Sequence, residues 1–388
     1  MSEPSSIKAI GPVTARWSSV RRPSARAATI FAPSSTKSAT SLSSPSNPSN
    51  KPRWRWAPLI GLIVSVALLV WVLRSINPRE VWEHAQHANG WLLLLTVVIA
   101  TLTFPVRTIR WRVILRDVDG RRLPWTPLWH ATTIGFMANN LLPARAGEVA
   151  RAYVASRQLP VRFSTALTSL GVERVFDGLI MLGLMAFAIA APSFPAQAHV
   201  GGRSLAAVVT SAAVLFGILL LVALIVVHRP APWLKVFERA ARRLLPARLA
   251  ERVSSGAEGI IAGLVVLKSP SRFAGVVFWS LVLWLKNAAA FAICFRAFGI
   301  DVPIEAALLL QGIIGFGVAV PSTPGYIGVF EAATLVTLQF YGVDSSLAVS
   351  YALTYHVTTF IPITLLGFWS LSRLHLRLRE LSAAQGAA

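Results

Sequence analysis

The sequence predicts an all-α polytopic membrane protein, and three observations support this fold class. Hydrophobic residues make up 54% of the 388 residues and charged residues only 14%, a balance that ordinary soluble proteins do not have. Apolar runs recur along the chain, several of them near the roughly 20 residues that a helix needs to cross a bilayer. Lys and Arg concentrate in every second segment between these runs, as expected when those segments stay in the cytoplasm.

Six of the apolar runs can each form a full transmembrane helix. They are residues 56–73, 91–106, 165–191, 205–227, 273–293 and 346–370. With the N-terminal side in the cytoplasm, the cytoplasmic segments hold 31 of the 37 Lys and Arg, and the opposite side holds four. This asymmetry predicts a multi-pass protein of the cell (inner) membrane with both termini in the cytoplasm.

The segments outside and inside the membrane define the predicted domains. Residues 1–55 are rich in Ser, Pro, Ala and Arg and carry nine basic residues against one acidic residue, which predicts a disordered basic cytoplasmic tail. A cleaved targeting peptide is the alternative, because such peptides are also Arg- and Ser-rich and poor in acids. The membrane domain covers 56–375, with halves 56–191 and 205–370, and residues 376–388 form a short cytoplasmic tail.

Composition and motifs exclude several functional classes. The single cysteine, Cys294, excludes an internal disulfide, a CxxC redox pair and a cysteine-based zinc site. The net charge of +21 disfavours nucleic-acid binding here, because the charge follows membrane sidedness and is spread over five segments. No GxxxxGK[ST] motif is present, so direct use of ATP is not expected, and no cofactor or metal is predicted.

Two further apolar segments, making eight in all, do not fit as simple spans. Residues 128–142 are short for a crossing and lie between two basic segments, which predicts a hairpin that enters from the cytoplasm and returns. Residues 304–341 are interrupted by Pro and Gly and form either a hairpin from the opposite side or two crossings. Each half therefore contains two spans, a broken hairpin and another span, and the halves face opposite ways, as in an inverted repeat.

The breaks in the two hairpins share a Pro-x-x-x-Gly spacing. Pro143 and Gly147 mark the first break, and Pro321, Pro324 and Gly325 mark the second. Pairing two such breaks by chance is the alternative to a repeat. Because proline and glycine leave backbone groups unpaired, such backbone survives at membrane depth only within protein or beside a water-filled cavity. Free N–H groups after Gly147 and Gly325 would suit an anionic headgroup.

Four motifs then follow in order along the chain. They are Arg107-Thr-Ile-Arg110-Trp111, Asn139-Asn-Leu-Leu-Pro143-Ala-Arg145-Ala-Gly147-Glu148-Val-Ala-Arg151, Val172-Glu173-Arg174-Val-Phe-Asp177, and Pro321-Ser-Thr-Pro324-Gly325-Tyr-Ile-Gly328-Val-Phe-Glu331. Together they resemble the flippase-like membrane family, which includes the transmembrane region of lysylphosphatidylglycerol synthases. Over residues 56–375 the resemblance implies movement of a lipid between leaflets, and its motifs add Asn139 and Gly328 to the candidate residues. The synthases carry a soluble aminoacyl-transferase domain after this region, whereas fewer than 20 residues follow the last predicted span, so lysyl transfer is not expected.

Charged residues within a span are costly and therefore candidates for the transport path. Arg174 and Asp177, three residues apart, are predicted to pair on one helix face, which leaves Glu173 for the cargo or a proton. A structural ion pair that locks the helix to its neighbour is the alternative.

The residues after the first break are candidates for binding a lipid phosphate. Arginine binds phosphate through two parallel hydrogen bonds, which favours Arg145 and Arg151, with Glu148 on the same helical face as Arg151. Anchoring to anionic lipid is the alternative. Arg107 and Arg110 are predicted to be anchors at the cytoplasmic end of a span.

The second broken region carries an acid, Glu331, with no basic residue beside it. A carboxylate at that depth is predicted to bind a proton or the cargo. Tyr355 and His356 are predicted to line the same cavity, with a packed, hydrogen-bonded histidine as the alternative.

These features predict a lipid translocator or flippase-like carrier whose partners are membrane lipids and lipid-biosynthetic enzymes. Its cargo would be amphipathic with an anionic or zwitterionic head: an aminoacyl-phospholipid, a polyprenyl-phosphate sugar or a hopanoid-type lipid. A membrane-embedded headgroup transferase and a scaffold of a biosynthetic complex are the alternatives. Because no HExxH-type metal motif occurs, the sequence favours a protein that is not an enzyme.

Overall fold

The computed structural model describes residues 56–74, 76–117, 119–142, 146–194, 199–200, 203–204, 230–244, 269–318 and 323–381, with scattered positions between 207 and 254. The predicted tail 1–55, most of the predicted span 205–227, and Pro143, Arg145 and Pro321 lie outside the described residues.

The described chain is almost entirely helical. Its helices are α1 (Trp56–Arg74), α2 (Pro78–His87), α3 (Gly90–Thr101), α4 (Thr103–Ile114), α5 (Trp125–Leu141), α6 (Ala146–Gln158), α7 (Phe163–Ala190), α8 (Pro230–Leu244), α9 (Pro270–Ala297), α10 (Ile304–Gly317), α11 (Val329–Phe340) and α12 (Ser345–Arg373). A two-residue antiparallel pair joins β1 (His199–Val200) to β2 (Arg203–Ser204), and a 3₁₀ turn covers Pro324–Tyr326. The all-α prediction is thus confirmed at the level of helix content.

Three helices in the described part of the chain are long and apolar enough to cross a membrane. They are Gly90–Ile114, which joins α3 to α4, and the helices α9 and α12. They match the predicted spans 91–106, 273–293 and 346–370. A fourth crossing results if Leu62–Arg74 and Pro78–His87, bent by 85°, form one broken span. The predicted span 165–191 falls in α7, whose 28 residues are long enough but include three ionisable side chains.

The junction between α3 and α4 is stabilised by a half-buried lysine of α9, Lys286. Pro105 in the first turn of α4 supplies no backbone N–H, and the regular hydrogen-bond pattern is interrupted between the two helices. The Nζ of Lys286 donates to the carbonyls of Ile99 (3.1 Å) and Ala100 (3.4 Å) and to the Oγ1 of Thr103 (2.6 Å). The lysine thus pairs with backbone oxygens rather than with a carboxylate.

The first broken segment forms a hairpin of α5 and α6. The two helices approach closely at Gly135 and Gly147, where a Cβ on Gly147 would lie 2.1 Å from the Gly135 carbonyl oxygen. Helix α5 also packs against α4 and α12, and α6 packs against α7. The predicted hairpin at 128–142 is therefore larger than expected, because its second arm extends to Gln158.

The second broken segment forms a hairpin of α10 and α11 around the 3₁₀ turn. At about 1.5 Å per residue, its 14- and 12-residue helices each fall short of the roughly 30 Å hydrocarbon layer. Helix α10 packs against α7, and α11 packs against α12 and α1. Gly325 and Gly328 turn the chain with φ values of 71° and 88°, a region that side chains with a Cβ rarely adopt.

Two large hydrophobic clusters surround the hairpins. One contains residues of α3, α7, α9, α10, α11 and α12 and encloses the second hairpin. The other contains residues of α4 to α7 together with the end of α12 and encloses the first. Because α7 and α12 contribute to both clusters, each of these long helices contacts both hairpins.

Candidate functional site

Helix α7 carries three ionisable residues of the predicted transport path. Glu173 and Asp177 lie one turn apart with side chains 0% and 2% exposed, whereas 42% of the Arg174 side chain is exposed. The Nη1 of Arg174 lies 3.8 Å from the Oδ2 of Asp177, as their spacing predicted. Asp177 nevertheless has closer partners, which come from other helices.

Asp177 is held by side chains of α4 and α9. The fully buried Arg110 donates from Nη2 to Oδ2 (3.2 Å) and from Nη1 to Oδ1. The indole Nε1 of Trp284 donates to Oδ1 (2.9 Å), and Arg110 also reaches the Oγ of Ser280 (3.0 Å). A buried carboxylate with this many donors is stable in its charged form.

Glu173 is paired with the arginine of the first hairpin. Arg151 donates from Nη1 to Oε2 (2.8 Å) and from Nη2 to Oε1 (3.3 Å), and Arg110 lies 3.4 Å away. The guanidinium of Arg151 also lies 3.9 Å from the ring centre of Trp111. The expectation that Glu173 is left for cargo or a proton is wrong for this conformation, because two arginines occupy it. The two bonds to Glu173 occupy Nη1 and Nη2 of Arg151, the nitrogens with which it was predicted to bind a lipid phosphate.

Arg107 and Arg110 are not interfacial anchors as predicted. They are 6% and 0% exposed, because α4 packs against α7 and directs both side chains toward its acids. Arg107 Nη1 lies 3.5 Å from Asp177, and its guanidinium lies over the rings of Phe136 and Trp284 at 5.1 and 5.8 Å. Its Nε is buried and has no hydrogen-bond partner among the described residues.

A cavity lies beside this cluster, between the two hairpins. It encloses about 760 Å³ of space free of protein atoms, part of it open to the outside. Its polar lining consists of Arg107, Asn139, Glu148, Arg151, Arg174, Asn287 and Gln311. The apolar lining comes from α5, α9 and α10, and Tyr326 of the second hairpin's turn completes it.

The charged groups at the cavity do not balance. Among the described residues, four guanidinium groups (Arg107, Arg110, Arg151, Arg174) face three carboxylates (Glu148, Glu173, Asp177), a difference of one positive charge. Of these four arginines, Arg174 lies farthest from its carboxylate partners, at 3.8 Å from Asp177 and 3.9 Å from Glu148. An anion in the cavity would neutralise the excess, and Arg174 is the arginine best placed to meet it.

Gln311 of α10 provides an unused hydrogen-bonding group at the same cavity. Its side chain is 1% exposed, and neither its amide nitrogen nor its amide oxygen has a partner among the described residues. Burying an unpaired amide is costly. Because Gln311 lines the cavity, a phosphate oxygen of a bound molecule could accept from its amide nitrogen and a hydroxyl could donate to its amide oxygen.

The N–H groups at the first hairpin are partly capped by the protein itself. The Oδ1 of Asn139 accepts from the backbone N–H of Gly147 at 2.8 Å. Asn139 thus links the end of α5 to the start of α6, next to the cavity. The helix begins at Ala146 rather than after Gly147 as predicted, and one N–H of its first turn, that of Gly147, is occupied by Asn139.

Glu331 has two partners, in contrast to the isolated carboxylate that the sequence predicted. Its Oε2 accepts from the backbone N–H of Gly328 (2.6 Å), which caps α11, and its Oε1 lies 2.6 Å from the Nδ1 of His356. The Nε2 of His356 lies 2.8 Å from the carbonyl oxygen of Gly325. His356 is therefore hydrogen-bonded to both sides of the second turn.

This arrangement requires a proton between Glu331 and His356. A carbonyl oxygen only accepts, so the Nε2 of His356 must carry a hydrogen toward Gly325. The bond between Nδ1 and Oε1 then contains one further proton, carried either by an imidazolium or by a neutral carboxylic acid. The pair forms a polar cluster apart from the cavity lining.

Tyr355 packs within the apolar core behind the cavity. Its ring lies 4.7 Å from that of Phe291 and 5.7 Å from that of Phe330, centre to centre. Phe291 lines the cavity, whereas Tyr355 is not among the lining residues. The predicted residues thus fall into two groups, one around α7 and one around His356.

Sequence reasoning missed several residues of the cavity. Trp284, Asn287 and Gln311 come from α9 and α10, which the fold alone brings beside α7, and no spacing indicates them. The pair Arg107 and Arg110 did carry a signal, because two arginines three residues apart share a helix face. In the described part of the chain, no three His, Cys, Asp or Glu side chains are grouped to hold a metal ion.

Comparisons with known proteins place this architecture among membrane proteins. The chain is 28% identical over 305 residues to the glycosyltransferase AglD of Haloferax volcanii, covering 71% of this chain and 47% of AglD. It spans about half the length of that relative. Two UPF0104 membrane proteins of Methanothermobacter thermautotrophicus are 27% and 22% identical over 330 and 320 residues, covering 79% of this chain and 90% and 92% of the relatives.

One expectation from the sequence is corrected by these comparisons. The sequence favoured a protein that is not an enzyme. This expectation was wrong, because AglD, a relative matched over 71% of this chain, is named a glycosyltransferase.

The family described as the lysylphosphatidylglycerol synthase TM region matches residues 59–367, which include both hairpins and the charged cluster of α7. Over this range the four motifs, the helical architecture and the family match coincide. The chain belongs to the lysylphosphatidylglycerol synthase transmembrane-region family.

Proposed function

We propose that the membrane domain binds the anionic or zwitterionic head of an amphipathic lipid between its two hairpins and moves that lipid between leaflets. The excess positive charge at the cavity is the observation that carries this proposal. An anion at Arg174 neutralises the cluster without breaking the bonds of Arg110 to Asp177 or of Arg151 to Glu173. The unpaired amide of Gln311 supplies a further contact for the headgroup.

The packing of the two hairpins supports an inverted repeat as the basis of movement. Helix α5 of the first hairpin packs against α12, and α10 of the second packs against α7. Each second arm is also bonded to the long helix that follows it, through Arg151 and Glu173 in one half and Glu331 and His356 in the other. Equivalent contacts in both halves suit a carrier in which one hairpin rocks against the other.

The charge of the site favours certain cargoes. An aminoacyl-phospholipid and a polyprenyl-phosphate sugar both carry phosphate, so they match the cavity better than a hopanoid-type lipid does. The sugar hydroxyls of a polyprenyl-phosphate sugar would also pair with Gln311, Asn139 and Asn287. We place the protein in the cell membrane with both termini cytoplasmic, in accordance with the distribution of Lys and Arg.

Movement is tested with purified protein in liposomes that contain a trace of fluorescent phosphatidylglycerol or polyprenyl phosphate. Dithionite quenches only the outer leaflet, so the quenched fraction reports exchange between leaflets. We expect wild-type protein to raise quenching beyond the outer-leaflet fraction and Arg174→Gln and Gln311→Leu to abolish most of that rise. The exposed Arg157 and Gln339 provide matched controls, and Arg157→Gln and Gln339→Leu should behave as wild type.

The proposal fails if folded wild-type protein moves neither lipid. It also fails if Arg157→Gln and Gln339→Leu reduce movement as much as the cavity substitutions do. In that case the loss would follow from removing any arginine or glutamine, and not from changing the cavity.

Transfer of a lipid headgroup is the second candidate, favoured by the name of the relative AglD. The same cavity would then hold the lipid while its head is modified. In such a transfer an acceptor hydroxyl would form the new bond to the sugar, and polyprenyl phosphate would be released. Mass spectrometry of a polyprenyl-phosphate sugar after incubation with the protein and a hydroxyl-bearing acceptor separates the candidates. A changed lipid mass supports transfer, and an unchanged lipid in the opposite leaflet supports movement.

A further inference from the structure

A second cavity lies on the other side of α4. Residues Ile109, Arg112, Val113 and Arg116 follow the i, i+3, i+4, i+7 pattern and line it, whereas Arg107 and Arg110 face the candidate site. This cavity encloses about 790 Å³ of space free of protein atoms, part of it open to the outside. It shares no lining residue with the cavity between the hairpins.

Four arginines surround this second cavity. Arg112 and Arg116 come from the end of α4 and the segment after it, and Arg122 lies opposite Arg116 across an isolated antiparallel bridge. Arg272 comes from the first turn of α9. No carboxylate is among the lining residues, and no ion pair with these arginines occurs in the described part of the chain.

The arginines have unused hydrogen-bonding capacity and repel one another. The Nε of Arg112 donates to the carbonyl of Leu123 (2.7 Å), but the Nε of Arg116 is buried without a partner among the described residues. Burial lowers the pKa of Arg116 below its ordinary value, and Arg122, Arg272 and Arg112 lower it further.

Asp117, the acid that acts on Arg116, only partly offsets these positive charges. Asp117 raises the pKa of Arg116 least among the neighbouring charges that act on it. Its Oδ1 already accepts from the backbone N–H groups of Asp119 (3.0 Å) and Arg121 (2.6 Å).

The start of α9 adds to the positive potential of the cavity. Ser271 and Arg272 line the cavity and belong to the first turn, where helix N–H groups lack partners within the helix. The Ser269 side chain at the N-cap makes no capping bond. The helix dipole therefore acts in the same direction as the four guanidinium groups.

We propose that this arginine cavity is a binding site for a diphosphate group, separate from the transport path. A phosphodiester lipid head brings one negative charge, which would leave three of the four arginines uncompensated. A diphosphate brings two to three negative charges and enough oxygens for several guanidinium groups to donate in pairs. The diphosphate belongs either to a lipid or to a soluble nucleoside diphosphate.

The test is calorimetric titration of inorganic pyrophosphate into the full chain in phosphatidylcholine nanodiscs. We expect saturable binding that the double substitution R116Q/R122Q weakens at least about tenfold, or about 1.4 kcal/mol, because it removes two donors of charge-assisted hydrogen bonds to the anion. Arg272→Gln, on a different helix, should also weaken it. Arg121→Gln is the matched control, because Arg121 is exposed, adjacent in sequence and not part of the lining.

Three results would overturn the proposal. They are the absence of saturable binding to folded wild type, an equal loss in Arg121→Gln and in R116Q/R122Q, and a loss in Arg174→Gln as large as that in the double variant. The first would mean no site, the second general surface attraction, and the third binding in the hairpin cavity.

Two further arms identify the source of the diphosphate. ADP is added to the solution in one, and a polyprenyl diphosphate is incorporated in the nanodisc in the other. The ligand that displaces pyrophosphate at lower concentration, with the same dependence on Arg116 and Arg122, is the class that the cavity serves.

Discussion

The buried carboxylates of this protein are stabilised by arginine and tryptophan side chains that donate hydrogen bonds to them, rather than by water. Asp177 and Glu173 are buried in α7. At membrane depth an isolated ionised group would cost about 2.5 to 3.5 kcal/mol on insertion scales. Arg110 contacts both carboxylates, so it joins them into one network. The network leaves Arg174 as the loosely held cation beside the cavity.

Removing Arg110 should destabilise the fold far more than removing an exposed arginine. Arg110→Gln leaves two buried carboxylates short of a partner, a change that costs about 3 to 5 kcal/mol for a broken buried pair. Arg296→Gln is the control, because its pair with Asp301 is exposed and such pairs contribute about 0 to 1 kcal/mol. Thermal unfolding in detergent measures both, and equal shifts would contradict the network.

The pair Glu331 and His356 should tolerate one substitution and not the other. In Glu331→Gln the amide oxygen can still accept from Gly328, and the amide N–H can donate to a neutral His356, so we expect a small change in stability. His356→Leu leaves Oε1 of Glu331 and the carbonyl of Gly325 without this hydrogen-bond partner, so we expect a loss of about 1 to 3 kcal/mol. Thermal unfolding of the two variants side by side decides, and a larger loss in Glu331→Gln would refute the assignment of the bonds.

At the scale of elements, the two hairpins depend on close backbone approach. Neither short helix of the second hairpin can cross a bilayer alone, so its turn must be held by neighbouring helices. Thr323 donates its backbone N–H to Ser65 Oγ of α1 at 2.9 Å, and Gly328 lies against the backbone of the same residue. Helix α1 therefore fixes the turn from one side and α12 from the other, through His356.

Substitution of Gly328 should separate steric contact from backbone strain. Alanine there needs a positive φ, which costs about 1 to 2 kcal/mol, and its Cβ would also lie 2.3 Å from the carbonyl oxygen of Ser65. Gly342→Ala is matched, because Gly342 has φ 75° and no atom within 4 Å of the added Cβ. We expect Gly328→Ala to lower the thermal unfolding temperature clearly more than Gly342→Ala. Equal shifts would mean that α1 does not restrain the turn.

At the scale of the whole molecule, the long helices α7 and α12 connect the two halves. Each packs against the second arm of one hairpin and the first arm of the other, so a movement of either hairpin is transmitted through them. The cavity lies where these contacts meet and includes residues from both hairpins. In the proposed carrier, lipid binding and rearrangement would therefore involve the same surfaces.

The proposed orientation predicts opposite labelling of two exposed loops. Asp119 follows α4 on the side assigned to the cytoplasm, and Asp301 precedes α10 on the opposite side; both are exposed. With Cys294 replaced by Ala, a membrane-impermeant maleimide should label Asp301→Cys in intact cells and Asp119→Cys only after permeabilisation. The reverse pattern, or labelling of both in intact cells, would refute the orientation.

The sequence by itself determined the membrane class, the positions of the three long apolar helices Gly90–Ile114, α9 and α12, and where the two broken segments fall along the chain. These features are local, since they depend on hydropathy, on runs of suitable length and on residues that interrupt a helix. The spacing of Arg174 and Asp177 likewise predicted a contact within one helix. All of this can be derived without knowing which helices are neighbours.

Only the tertiary structure decided which charges meet. Arg110 and Asp177 are 67 residues apart, and Glu331 and His356 are 25 apart, so no spacing rule connects them. The partners that neutralise Glu173, and the unpaired amide of Gln311, depend on α4, α6 and α10 packing around α7. The physical reason is that the energy of a charge within a membrane is set by its neighbours in space, and helix packing alone supplies them.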